Sequence, residues 1–240
     1  MARRRFFIDS VHSGQARISG DEAHHLTRVL RVEPGQRFEI SDNRNVYLAE
    51  VSSARKDLVS FAILEQMDAI APVVRVTLLA SLIKFERFEW MLEKATELGV
   101  ERVIPVEAER SEKGLEQAAA KRLARWNRIA REASEQSRRA RLPELAAPIS
   151  LATAIQSGAD CRYVLEEEAA PPILSRLPGA RHPGNRVALL CGPEGGWTDR
   201  ERSAISAAGW TAVSLGQAIL RAETAALAAL AILNAAWAAA

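Results

Sequence analysis

An apolar run, Val187-Ala188-Leu189-Leu190-Cys191, meets Gly192-Pro193-Glu194-Gly195-Gly196, and a helix start follows at once. Thr198 and Glu201 have the spacing of a capping box, in which hydroxyl and carboxylate each take up an amide that a helix start leaves unbonded. A plain turn needs one glycine; three with a proline let a ligand come close against bare backbone. The pattern is neither the G-x-G-x-x-G of dinucleotide sites nor the G-x-x-x-x-G-K-[ST] of phosphate loops. A second loop has the same placement: Thr211–Leu215 runs into Gly216, and Gln217 to Ala222 lead to Glu223, Thr224 and an apolar helix. Arg221 is an odd choice there for a mere connector. Its guanidinium is either oriented by Glu223 or left to face a polar substrate. Both loops follow strands, where open α/β sheets take their ligands.

A third feature is electrostatic. Residues 119–141 carry Lys121, Arg122, Arg125, Arg128, Arg131, Arg138, Arg139 and Arg141 against Glu132 and Glu135, a net of +6. On a helical wheel Leu123, Trp126, Ala130 and Ala133 share one face, while Lys121, Arg125, Arg128 and Arg139 fall near the other. Such a stripe is either a solvated face or a contact for phosphates, with Arg139 and Arg141 close to the entry of a site.

The whole chain bounds these readings. Its 240 residues suit a small domain attached to a medium one, and 48% hydrophobic content suffices for a core. With 32 Lys plus Arg against 30 Asp plus Glu the net charge is only +2, so a nucleic-acid argument must rest on local clustering. Cys161 and Cys191 are too few for a disulfide scaffold, and His12, His24, His25 and His182 form no metal-binding pattern, so no metal is expected. His24 and His25 read as a helix surface and its flank. Asp9 follows the basic N-terminal residues too soon for a signal region, and Thr224–Ala240 is Ala-rich and interrupted by Asn234, which suits a buried or interface helix better than a membrane span. The setting expected is cytoplasmic.

The elements that must position the loops fall into two groups, predicted as domains 1–70 and 73–240. In the first, strands at 6–9, 16–18, 37–41, 46–53 and 58–64 alternate with turn signals, and Asp21 is read as the N-cap of one helix; this suggests a small, largely antiparallel barrel. In the second, strands at 74–81, 102–108, 163–167, 187–191 and 211–215 alternate with helices at 84–99, 116–139, 199–208 and 223–238. That alternation predicts a mainly parallel sheet covered on both faces.

Together, LLCGPEGGWTDRE (189–201) and SLGQAILRAETAALAAL (214–230) closely resemble the RsmE family, the uridine N3-methyltransferases of 16S ribosomal RNA in the SPOUT superfamily. Lys84, EKATELGVERVIPV (93–106), Arg110-Ser111-Glu112, RWNRIAREASEQSRR (125–139) and EAHHLTRVLRVEPGQ (22–36) support the likeness over essentially the whole chain. The resemblance implies an α/β fold: an N-terminal PUA-like β-barrel that binds RNA, then a SPOUT methyltransferase domain tied in a deep trefoil knot. It implies S-adenosylmethionine held by Leu190, Cys191, Gly192, Pro193, Glu194, Gly195 and Gly196 from one knot loop and by Leu215, Gly216, Ile219, Leu220 and Arg221 from the other. It further implies a homodimer, and as substrate one uridine (uridine 1498) of the small ribosomal subunit, methylated on N3.

Methylation there needs either a base for the N3 proton or a cation that favours the ring anion. Arg221 suits the second role; Glu194 and Glu223 are read either as proton acceptors or as structural acceptors. Arg221 and Glu223 are the catalytic expectation, and Arg125, Arg128, Arg138 and Arg139 the RNA-contact expectation. Two other classes compete. An enzyme acting on a small molecule leaves the barrel and the basic helix unexplained, and a non-catalytic RNA binder leaves the loops idle.

Overall fold

The structure, a computed structural model, describes residues 5–112, 114–167 and 170–240. By contacts the chain forms two units. One takes the residues up to Ile70 together with Ser134–Leu142, and the other takes Ala71–Ala133 and Pro143–Ala240.

The first unit contains β1 (Arg5–Phe7), β2 (Gln15–Ser19), α1 (Gly20–Arg28), β3 (Arg37–Ser41), β4 (Val46–Arg55) and β5 (Leu58–Met67). The strands form one curled sheet in the order β1-β3-β4-β5-β2, antiparallel except for the β1–β3 pair. Alternation places Ile18, Ile40, Val51, Val59 and Phe61 inside, with Ala23 and Leu26 of α1 packed among them. The cap of α1 differs from the sequence expectation. Ser19 occupies the N-cap and Asp21 lies in the first turn, where a carboxylate suits the positive end of the helix.

Sequence reasoning assigned 134–142 to the second domain, whereas this segment is part of the first unit. Ser41 Oγ donates to the Ala140 carbonyl at 2.7 Å, and the Leu142 amide donates to Asn43 Oδ1 at 2.7 Å. Glu39, with a side chain only 6% exposed, accepts from Arg5 at 2.7 Å and from Arg138 at 2.5 Å. A buried carboxylate needs such partners, so Arg138 is drawn to the sheet by charge.

The second unit contains β6 (Val74–Ser81), α2 (Phe85–Glu97), β7 (Arg102–Glu107), α3 (Leu115–Gln136), β8 (Glu144–Leu145), β9 (Ile149–Ser150), α4 (Leu151–Ala154), β10 (Cys161–Leu165), β11 (Asn185–Cys191), α5 (Asp199–Ala207), β12 (Thr211–Val213) and α6 (Ala222–Ala238). The last residues of α3, which runs to Gln136, pass into the first unit. The sheet is parallel throughout in the order β12-β10-β11-β6-β7-β8, with β9 also on β7. Its central strands read as unbroken apolar runs because both faces are buried. Val74, Val76, Leu78 and Ala80 of β6 pack on one face with α2, α3 and α6, whereas Leu79 joins the opposite face with α4 and α5. Trp126 of α3 fills the first face, its ring centroid 4.7 Å from that of Phe88. Among the described residues no helix is long and apolar enough to cross a membrane, and no group of side chains could hold a metal ion.

Candidate ligand cleft at the strand ends

The adjacent strands β12, β10 and β11 end side by side, and the loops that leave them line a cleft open to solvent.

The first loop is braced from three directions. Trp197 is 1% exposed, and its indole Nε1 donates to the Leu165 carbonyl at 3.3 Å, joining the β11 loop to the end of β10. A Cβ on Gly192 would stand 3.1 Å from that indole, so any larger residue here presses on a buried protein ring. Gly195 is pressed in the same way by the Arg110 side chain, whose Nη1 donates to the Gly195 carbonyl at 2.7 Å. The capping box is complete: the Glu201 amide donates to Thr198 Oγ1 at 3.3 Å and the Thr198 amide donates to Glu201 Oε2 at 2.9 Å. Glu201 Oε1 also accepts the Glu109 amide at 2.8 Å, which ties the loop to the end of β7.

Two glycines behave differently. Gly196 (φ +65°) and Gly216 (φ +122°) have the left-handed backbone that favours glycine, and a Cβ on either would meet nothing within 4 Å. Both line the cleft, so their backbone is open to a ligand.

The residues expected to bind a cofactor divide accordingly. Cys191, Gly192, Pro193, Gly196, Leu215, Gly216 and Leu220 line the cleft. Leu190 is buried on the α4–α5 face of the sheet. Glu194 turns away to bond Arg87 of α2, Gly195 meets Arg110, and Ile219 is 81% exposed. Arg221 is the N-cap residue of α6 and is exposed, with no side-chain cap bond. Glu223 does not orient it: that carboxylate is buried, with Oε1 4.0 Å from Arg87 Nε. Burial also pushes the Cys191 thiol up, which keeps it protonated and unreactive.

Sequence reasoning missed Glu166, Glu167, Trp197, Arg202 and Ala225 on the cleft wall. The strand expected over 163–167 ends at Leu165, and the two glutamates form a third loop beyond a strand end, the same signal that marked the other two. Glu166 accepts from Arg202 at 3.2 Å.

The arginines expected at RNA lie in both units: Arg125 and Arg128 in the second, Arg138 and Arg139 in the first. Arg125 and Arg122 each donate to Glu89 Oε1 at 2.9 Å. Burial alone would raise the Glu89 carboxyl, yet these guanidiniums hold it below the usual range. Arg128 is exposed, 4.0 Å from Glu132, and Arg139 donates to the Arg141 carbonyl at 3.1 Å.

The RNA methyltransferase domain family matches residues 70–234, and the RNA methyltransferase PUA domain family matches residues 18–64. Ribosomal RNA small subunit methyltransferase E of Bacillus subtilis is 33% identical over 90% of this chain and 88% of its own length. The Synechocystis protein of the same name is 35% identical over 89% of this chain and 71% of its own. A crystal structure of ribosomal RNA small subunit methyltransferase E from Neisseria gonorrhoeae, bound to S-adenosyl methionine, matches with a TM-score of 0.88 at 31% identity, covering 98% of both chains.

The different demands on the glycines give a stability test. Gly192→Ala is expected to lower stability by about 1–3 kcal/mol through overpacking and to shift the Trp197 indole N–H resonance. Gly216→Ala is expected to leave that resonance in place. A Gly192→Ala protein with the parent's melting temperature and indole spectrum would contradict the ring contact.

Proposed function

The chain belongs to the ribosomal RNA small subunit methyltransferase E family, and from that membership we propose that it transfers a methyl group from S-adenosylmethionine to N3 of one uridine of 16S ribosomal RNA. The observation that carries this reading is the cleft at three adjacent strand ends, where Gly196 and Gly216 open their backbone toward the enclosed space. The residues fit such a cofactor. Leu165, Trp197, Leu215, Leu220 and Ala225 offer apolar wall for a base and a thioether, while Glu166, Glu167 and Arg202 offer groups for hydroxyls, an ammonium and a carboxylate. When bound, the cofactor supplies a sulfonium methyl as the electrophile.

Arg221 is proposed as the catalytic residue. The N3–H bond must break and its proton leave to solvent before the nitrogen pair can take the methyl, and a guanidinium beside the ring lowers the energy of that anion. Glu223 is proposed to act through position, because it is buried against Arg87 and lies outside the cleft lining. N3 lies on the Watson–Crick edge, so the base must be unpaired when it reacts. The remaining cofactor contacts are proposed along Cys191–Gly196 and Leu215–Leu220, with that part of the chain tied in a trefoil knot.

The N-terminal unit is proposed as the RNA-binding module, aided by Arg125, Arg128, Arg138 and Arg139. A homodimer is proposed through α6, where Ala231 and Ala235 leave small exposed side chains that permit close approach of a second helix. The proposed setting is the cytoplasm, where the ribosomal substrate is made.

The test is to incubate the protein with methyl-labelled S-adenosylmethionine and 30S subunits and to map the modified nucleotide. Label on a single uridine N3 is the expected result. Label on small nucleosides alone would favour a small-molecule enzyme, and no label would favour a plain RNA binder.

Arg221→Ala is expected to slow single-turnover methylation by about two to three orders of magnitude, the size typical of losing one electrostatic donor, with cofactor and subunit binding little changed. Arg221→Lys should recover part. A variant that methylates normally at saturation but binds cofactor poorly would move Arg221 to the binding pocket.

For RNA binding, Arg128→Ala is expected to reduce the log–log salt slope by about one unit. Arg125→Ala should change it less, because Glu89 already shares that guanidinium. Equal slopes in the parent and in Arg128→Ala would return the stripe to a solvated face.

A further inference from the structure

We propose that Arg87 is a positioning residue for methyl transfer, a strap that holds the glycine loop after β11 against the first turn of α6. The proposal rests on the methyltransferase reading above.

Arg87 lies in the first turn of α2, where the aligned amides of the helix disfavour a cation, so the local helix gives no reason for it. Its side chain instead reaches acids on two separate elements. Nη1 donates to Glu194 in the Gly192–Gly196 loop, and Nε lies 4.0 Å from Glu223 Oε1 in the first turn of α6. The Glu223 side chain is only 8% exposed, and its Oε2 has no hydrogen-bond partner among the described residues. A carboxylate buried in this way needs positive potential close by. The amino end of α6 supplies part of it and the Arg87 guanidinium the rest. Glu223 is therefore the fixed end of the strap and Glu194, half-exposed on the loop, the movable end.

The geometry explains why this matters for transfer. Gly192, Pro193 and Gly196 form one wall of the cleft, and Ala222 and Ala225 of α6 form another. The separation of those walls sets where a methyl donor rests, and Arg87 spans the same two elements from outside the lining. Braces already described hold the loop at Gly195 and Trp197 through Arg110 and Leu165, but neither reaches α6. Among the described ion pairs, only those of Arg87 join the glycine loop to α6.

The experiment has two arms on the full chain. The first measures single-turnover methylation of 30S subunits at saturating S-adenosylmethionine, together with the melting temperature. Arg87→Ala is expected to slow transfer by about 10- to 100-fold, the cost of misplacing reacting groups by roughly an ångström, with the melting temperature little changed. Arg87→Lys should recover part of the rate, because one ammonium keeps the charge but cannot reach both acids. The Arg87→Ala/Glu194→Gln double variant should be no slower than Arg87→Ala alone. Full rate in Arg87→Ala, or a double loss equal to the product of the single losses, would overturn the strap.

The second arm needs no substrate. Amide hydrogen exchange in Arg87→Ala should rise together in residues 194–197 and 224–226, and a rise in neither or in only one segment would also overturn the proposal. If Arg87→Ala fails to fold, Glu194→Gln alone must slow transfer and loosen 194–197, or the strap is wrong. A parent protein that methylates nothing would sink the methyltransferase reading, and the exchange arm would still decide the strap by itself.

Discussion

The seating of one indole governs the cleft. Trp197 is buried directly beside the backbone of Gly192 and bonded to the carbonyl that ends β10, so it fixes the distance between two neighbouring strand ends and sets the path of the loop between them. Removing a buried ring of this size typically costs about 3–5 kcal/mol. Here the loss would fall on the loop whose shape the site needs. The surrounding polar contacts extend that constraint. The capping box starts α5 at the next residue, and Glu201 passes the restraint on to the end of β7. The part of the loop around Trp197 is therefore braced by the protein itself, which lowers the ordering cost of binding.

Charge is distributed by a similar economy. Several enclosed acids recruit arginine: Glu39 takes Arg5 and Arg138, Glu89 takes Arg122 and Arg125, and Glu166 takes Arg202, whereas Glu201 is held by backbone amides and Thr198. Much of the basic character evident in 119–141 is thus committed to holding elements together. The +6 of that segment overstates the positive surface that remains for a phosphate backbone, because a guanidinium shared with a buried carboxylate has less charge to offer.

Local patterns proved legible where one physical rule decides the outcome. Continuous apolar runs marked β6 and β11, helical spacing marked α2 with Gly99 at its end, and Thr198 with Glu201 gave the start of α5. What stayed hidden depends on partners distant in sequence. The two-residue strands β8 and β9 form because β7 offers an edge, and no two-residue pattern announces that. The β10 loop looked like more strand because Glu166 and Glu167 continue the sequence without a break, whereas the pairing that defines a strand stops at Leu165. Of the glycines in the first loop, composition could not tell which accommodate a ligand and which accommodate Trp197 or Arg110; only the positions of those side chains separate them. Arg87 was equally invisible as the partner of Glu223, since α2 and α6 meet only in the folded protein.

The return of Ser134–Leu142 to the first unit bears on the modularity of the gene. Although the curled sheet is encoded at the start of the chain, a coding fragment that stops at Ile70 would omit the carbonyl that receives Ser41, the amide that Asn43 holds and one of the two guanidiniums on Glu39. The module is written in two separate stretches of the sequence, with β6, α2, β7 and most of α3 between them. Recombination could not graft it onto another enzyme as a simple N-terminal cassette. The curled sheet is therefore tied to the parallel-sheet domain's stretch of chain by two kinds of demand. Ser41 and Asn43 need only the backbone of Ala140 and Leu142, which nearly any residue supplies, whereas Glu39 needs the guanidinium of Arg138, so that pair alone must change together.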